Sequence, residues 1–151
     1  MLKEVQRLRR NCDINLKTSL HEVPYKELND LCEYTALELL QNEEDREYLL
    51  EQSKFCKIQA MKNDIKHNDV RFADIYLKSL LSETPFLFES YIEFLEHKRT
   101  PEKRFYEPRQ KVLHPVAMDF QWLEDDPDAK FYGLSMPPRV GKSTIKLFLT
   151  I

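Results

Sequence analysis

Glycine is nearly absent from this chain. Its 151 residues include two, Gly133 and Gly141, both in the closing stretch, against an average usage of roughly 7%. The first 130 residues therefore have no glycine for tight turns. Rich in Leu, Glu and Lys and punctuated by proline, they read as a helical array. Cysteine is also sparse: Cys12, Cys32 and Cys56 are odd in number, widely spaced and form no Cys-x-x-Cys pair. That excludes a disulfide framework and a zinc site, and leaves reduced, packed thiols as the expectation. No apolar run approaches the roughly 20 residues that span a bilayer, and the first ten residues are too polar for a signal peptide. A soluble protein of a reducing, cytoplasmic compartment is expected. A basic excess is missing too, since 23 basic and 26 acidic residues leave a net charge of -3. Residues 105–151 hold six of each sign, so neither part of the chain is a polyanion-binding tail.

What is present is amphipathic periodicity. Leu2, Val5 and Leu8 recur among Lys3, Arg7, Arg9 and Arg10, which predicts a basic helix over residues 1–10. No aromatic residue interleaves its charges, so a solvated helix end is favoured over a DNA-contacting arm. Pro24 suits a first helical position, and Tyr25, Leu28, Leu31, Cys32, Thr35 and Leu39 continue that helix to about Asn42. Glu43, Glu44 and Asp45 suit the first turn of the next, whose apolar side is expected at Tyr48, Leu49, Phe55, Ile58, Met61 and Ile65. Asp69 is a candidate cap for a third segment, with Val70, Ala73, Leu77 and Leu80 inward and Phe72 and Tyr76 widening the stripe. Thr84-Pro85 predicts a fourth start, with Leu87, Tyr91 and Phe94 or Leu95 inward. His21, His67 and His97 stand singly, and surface or packing roles fit them better than metal binding.

A boundary is expected over residues 98–106, where charge and proline break the apolar pattern, giving a helical region 1–104 and a second region 105–151. In the latter, Pro108 opens a helix running to about Glu124 with Val112, Leu113, Val116, Phe120 and Leu123 inward and a kink or break at Pro115. Asp125-Asp126-Pro127-Asp128 then reads as a solvated polar turn. Residues 129–136, with Phe131, Tyr132 and Leu134 apolar, suit a first strand.

Behind that strand stands Ser135-Met136-Pro137-Pro138-Arg139-Val140-Gly141-Lys142-Ser143-Thr144, the layout of a phosphate-binding loop entering a helix. Such a turn aims backbone N–H groups and the positive helix end at one anion. Gly141 permits close backbone approach, Lys142 reaches β and γ phosphates, Ser143 offers its hydroxyl to Mg²⁺, and Thr144 supports the first turn. Pro137 and Pro138 have no N–H, so the cradle must come from Arg139, Val140 and the amides that follow. Arg139 adds a second positive charge. The usual pattern has glycine where this chain has Met136.

That ten-residue run resembles the variant Walker A motif of the large terminase subunit of tailed bacteriophages, in which Pro-Pro-Arg replaces the glycine-rich start. Phe105-Tyr106-Glu107-Pro108-Arg109-Gln110-Lys111-Val112-Leu113 is similar to the segment preceding that motif. Specific resemblance covers about a third of the chain, because residues 1–104 match only as a helical lead-in. The resemblance implies a mainly α architecture: an N-terminal helical array, then the first strand, P-loop and helix of an incomplete α/β P-loop NTPase domain. It implies an ATP-driven motor that packages viral DNA in the host cytoplasm, with a separate nuclease domain, a small terminase subunit and a portal as partners, and ATP and Mg²⁺ as cofactors. Arg139 becomes the loop arginine that senses the γ phosphate. Arg109 and Gln110 fall where the family places its adenine-contacting segment, with helix-surface polarity as their alternative role.

Hydrolysis further requires a carboxylate on a later apolar strand for Mg²⁺ and an acid to orient water. Neither follows the loop here, and the nuclease carboxylates are absent. The expectation is thus an N-terminal fragment, truncated soon after the Walker A motif and inactive alone as an ATPase. Two alternatives stay open: a non-enzymatic helical interaction module, and a fragment of another P-loop NTPase such as a helicase.

Overall fold

A computed structural model describes residues 2–18, 21–128, 133–136 and 143–145. The fold is mainly α-helical, with no strand among the described residues. It divides into two compact units, Met1–Glu83 and Thr84–Ile151, upstream of the boundary expected over 98–106.

The first unit holds α1 (Leu2–Lys17), α2 (Tyr25–Leu39), α3 (Arg46–His67) and α4 (Val70–Glu83). Helices α3 and α4 pack as a hairpin, α2 lies against both, and α1 packs on α2. Without glycine, the left-handed turn positions fall to polar residues. His21 and Asn68 both take φ 50, and Asn68 N–H caps α3 by donating to the Asp64 carbonyl at 2.7 Å. Asparagine tolerates this conformation because its short amide bonds locally. Asp69 caps α4 as expected, its Oδ1 accepting from Arg71 N–H at 3.1 Å.

Helix α2 buries Leu28, Leu31, Cys32, Thr35 and Leu39, the stripe its spacing predicts. Each of its buried leucines contributes about 1.5–3 kcal/mol by leaving water. Helix α1 runs to Lys17 rather than stopping near residue 10, because Cys12 continues the buried line of Val5 and Leu8. The three cysteines are free and buried.

Helix α3 departs most from expectation. Its buried face is Leu49, Gln52, Ser53, Cys56, Gln59, Ala60 and Asn63, while Ile58, Met61 and Ile65 are 41%, 51% and 82% exposed. Ile58, Met61 and Ile65 do share one face, but the opposite face is the one that packs, because Ser53, Cys56 and Ala60 form there a narrow small-residue line that admits close neighbours. Three of its buried polar side chains are bonded. Gln52 accepts from Arg9 Nη1 at 2.8 Å, Ser53 donates to the Ser79 carbonyl at 3.3 Å, and Asn63 donates to the Val23 carbonyl at 2.9 Å. The acidic trio precedes α3 rather than occupying its first turn, with Asp45 at the cap.

Helix α4 is likewise turned by about a third of a circle from the expected stripe. It buries Phe72, Ile75, Ser79 and Leu80 and leaves Val70 and Ala73 exposed. Phe72 meets the Tyr25 ring edge-on at 5.7 Å, and Ser79 Oγ bonds Cys32 Sγ at 3.2 Å, so contacts to α2 choose the face. Buried Glu83 pairs with Lys57 at 2.5 Å, tying the end of α4 to α3.

The second unit contains α5 (Phe88–Glu96) and α6 (Gln110–Asp125), joined through 3-10 turns at Pro101–Lys103 and Glu107–Arg109. Helix α5 starts later than Thr84-Pro85 predicts, with Leu87 at the cap, and its buried residues are Ser90, Ile92 and Glu96. Tyr91 and Phe94 are only half-buried and Leu95 is exposed. The Glu96 carboxylate governs that face, accepting from the backbone N–H groups of Phe105 and Tyr106 at 2.8 Å each and so fixing the return segment. Helix α6 continues across Pro115, burying Leu113, Val116, Ala117 and Phe120 but leaving Val112 exposed and Leu123 half-buried. Pro115 is itself exposed, so the carbonyl it deprives of a donor can be met by water.

Candidate phosphate-loop site

In the second unit Ile92, Tyr106, Leu113, Val116, Ala117, Phe120 and Ile145 form a buried hydrophobic cluster, with Phe88, Phe105, Leu123, Leu134 and Met136 packed against it. Residues from both sides of the loop motif belong to it. Leu134 and Met136 precede the Pro-Pro-Arg run, and Ile145, fully buried, follows Ser143-Thr144.

Residues 133–136 form neither helix nor strand, and the rest of the expected strand, 129–132, lies outside the described residues. Arg139, Val140, Gly141 and Lys142 lie outside them as well. Residues 143–145 are helical, with Ser143 exposed, Thr144 half-buried and Ile145 inward. Ser135 and Gly133 are exposed, and a side chain at Gly133 would meet nothing within 4 Å.

Arg109 and Gln110 sit at the junction of the second 3-10 turn and α6, both exposed. The Arg109 guanidinium lies 5.2 Å from the Phe105 ring centroid and donates to the Phe105 carbonyl at 3.1 Å. Gln110 Nε2 donates to Glu89 Oε1 at 3.4 Å. The same oxygen accepts from Tyr106 Oη at 2.6 Å and His114 Nδ1 at 3.0 Å. Facing a carboxylate, Nδ1 must carry the proton, which in the neutral ring leaves the lone pair on Nε2. Burial works to raise the Glu89 carboxyl, but the bonds from Tyr106, His114 and Gln110 outweigh it and hold the group below its ordinary value. Burial, with the Glu89 charge beside it, pushes the Tyr106 phenol well above its usual range.

Glu89, Tyr106 and His114 are the members that sequence reasoning missed. A partial signal existed in Gln110 and His114, four apart and so on one face of a helix. Nothing in the sequence marked Glu89 as their common partner.

A groove of about 580 Å³ in the first unit, between the segment before α2 and the α3–α4 turn, is lined by Glu22, Tyr25, Asn63, His67 and Arg71 among others. Its charges are already engaged: Glu22 with Lys66 and His67, and Asp69 with Arg71. Among the described residues, no helix is long and apolar enough to cross a membrane. Protein-family models, curated proteins and solved structures gave no match to this chain.

Proposed function

We propose that residues 105–151 carry an ATP-binding phosphate loop of the terminase type, and that the chain is the N-terminal part of a motor that packages viral DNA. The observation that carries this reading is the burial of Ile145 in the cluster that also receives Leu134 and Met136. A short segment whose flanks are both held by apolar packing loses less conformational freedom on meeting a ligand. The sequence between those flanks supplies the phosphate chemistry. Lys142 neutralises the β and γ phosphates, Arg139 adds charge at the γ end, and the amides from Arg139 onward donate to phosphate oxygens. Ser143 holds Mg²⁺, which bridges the β and γ oxygens when bound. The portal, the small terminase subunit and viral DNA are the partners of this reading.

Titration calorimetry with ATP and Mg²⁺ is the test. Wild-type chain should bind, and Lys142→Ala should weaken binding at least tenfold, about 1.4 kcal/mol. Absence of wild-type binding, or an unchanged affinity in Lys142→Ala, would overturn the reading.

The first unit supports a second reading for its own part, a helical interaction module. The supporting observation is the exposed line of Ile58, Met61 and Ile65 on α3, since apolar residues aligned on a surface mark contact faces. Deleting residues 129–151 should leave partner capture and helicity unchanged on this reading; loss of capture would refute it.

A further inference from the structure

Helix α3 carries charge and apolar surface in a fixed order along the side it turns away from its own bundle. Glu47, Glu51, Lys54, Ile58, Met61 and Ile65 follow one another at intervals of four, three, four, three and four residues. All six are exposed, opposite the packed line of Ser53, Cys56 and Ala60. Alternating steps of four and three give the period at which two helices stay in contact along their length. Lys62, also exposed, stands beside Ile58 at the edge of the same face. The signs are segregated along the helix. Glu47 and Glu51 lead, Lys54 and Lys62 follow, and the apolar residues lie in the C-terminal half.

That order selects both an occupant and its direction. A parallel second copy would set Glu47, Glu51, Lys54 and Lys62 each against its own counterpart, with like charges in contact. An antiparallel copy places the acidic end of each helix against the basic, apolar end of the other. With the two-fold axis midway between Lys54 and Ile58, Ile58 meets the aliphatic stem of Lys54 of the second copy. Met61 and Ile65 then meet the methylenes of its Glu51 and Glu47, and Glu51 comes beside its Lys62. Within the single chain these charges are not spent: among the described residues, Glu47, Glu51, Lys54 and Lys62 form no ion pair.

We propose that α3 docks antiparallel on α3 of a second copy of this chain, covering Ile58, Met61 and Ile65 and pairing Glu51 with Lys62 across a two-fold axis. Symmetry makes each charge pair occur twice, and pairs at the rim set register and salt response more than affinity. The dimer is therefore a weak, reversible one. The inference rests on the interaction-module reading of the first unit and names the partner.

Sedimentation velocity on the whole chain, from micromolar to millimolar concentration, is the test. Wild type should pass from monomer to dimer, and added salt should weaken the dimer. Met61→Asp brings a carboxylate against Glu51 of the second copy and should weaken it by about tenfold or more. Glu51→Lys and Lys62→Glu should each do the same, because each creates like-charge contacts on both sides of the axis. Mixed in equal amounts, those two variants should form a heterodimer about as tight as the wild-type dimer. All the substituted positions are exposed, and circular dichroism confirms that each variant keeps its helicity. A wild type that stays monomeric overturns the proposal, as does a dimer indifferent to Met61→Asp. Loss of the dimer in both charge variants without recovery on mixing overturns the antiparallel register. The module reading is checked separately by capture of other proteins. If wild type is monomeric and Met61→Asp abolishes capture of a different protein, the module reading stands and the second copy is ruled out as its partner. If wild type is monomeric and capture is indifferent to Met61→Asp, both are overturned.

Discussion

Asn63 shows how much of the first unit's order depends on single polar side chains. It is 3% exposed and donates to the Val23 carbonyl at 2.9 Å, anchoring the segment that leads into α2. Replacing it with Ala strands that buried carbonyl, and we expect a loss of about 1–3 kcal/mol in urea denaturation. Ile65→Lys, on the opposite face, should change stability by no more than about 0.5 kcal/mol. The reverse pattern would mean that α3 is rotated from the face described. Cysteine chemistry belongs to the same scale. Burial pushes the Cys12 thiol up to about 12, and the neighbouring Cys32 together with burial raises Cys56; Cys32 itself is lowered by Cys56 but is buried like the other two. Thiols kept protonated and out of reach of solvent react slowly. Iodoacetamide should label them only on unfolding; rapid labelling of native chain would contradict their burial.

Glu89 supplies a residue-scale pH dependence with a definite sign. Its folded pKa lies below the ordinary value of 4.5, so its contribution is fully present above that value and is lost as pH falls through the folded pKa. Denaturation of the second unit, followed between neutral pH and the acid side of 4.5, should show a slope in wild type that is reduced in Glu89→Gln. Equal slopes would remove Glu89 from the acid response.

At the scale of elements, what the sequence revealed depended on how each helix meets its neighbours. Helix α2 was readable because Leu28, Leu31, Cys32, Thr35 and Leu39 lie on one face and nothing apolar competes with them. Helix α3 was not readable, since Phe55, Ile58, Met61 and Ile65 share an apolar face that does not pack, while the chosen face, opposite, is made of Ser53, Cys56 and Ala60. Their value lies in closeness of approach, a property of the pair of helices rather than of either sequence. The phosphate-loop reading rests on residue types at fixed spacings, and Arg139 to Lys142 lie outside the described residues. Glu89 was not legible, because its partners Tyr106, Gln110 and His114 are brought to it on α5 only by the tertiary fold.

Pro115 gives an element-scale prediction. It sits inside α6, where proline removes one backbone bond and costs as much as about 3 kcal/mol relative to Ala. Its exposure means that no packing is lost on replacement. Pro115→Ala should therefore stabilise the second unit in thermal melts, by up to that amount. Destabilisation would show that a bend at Pro115 is needed to bring Leu113 and Phe120 into one cluster.

For the molecule as a whole, the second unit is where stability and ligand binding should be linked. Among its described residues Thr84–Ile151 packs a cluster of seven buried side chains, a small core for a segment of that length. A ligand that binds only the folded unit stabilises it by RT ln(1 + [L]/Kd), about 2.7 kcal/mol at a hundredfold excess over Kd. In a unit of this size each kcal/mol shifts the midpoint by about 4–8 °C, so saturating ATP and Mg²⁺ should raise it by about 10 °C or more. The chain's one tryptophan, Trp122, lies on α6 within this unit, and its fluorescence reports the transition directly. Lys142→Ala, binding at least tenfold more weakly, should lose about half of the shift or more while leaving the ligand-free midpoint unchanged. A midpoint indifferent to ATP in wild type would mean that no phosphate ligand is coupled to the folding of this unit, and the motor reading would lose its physical basis.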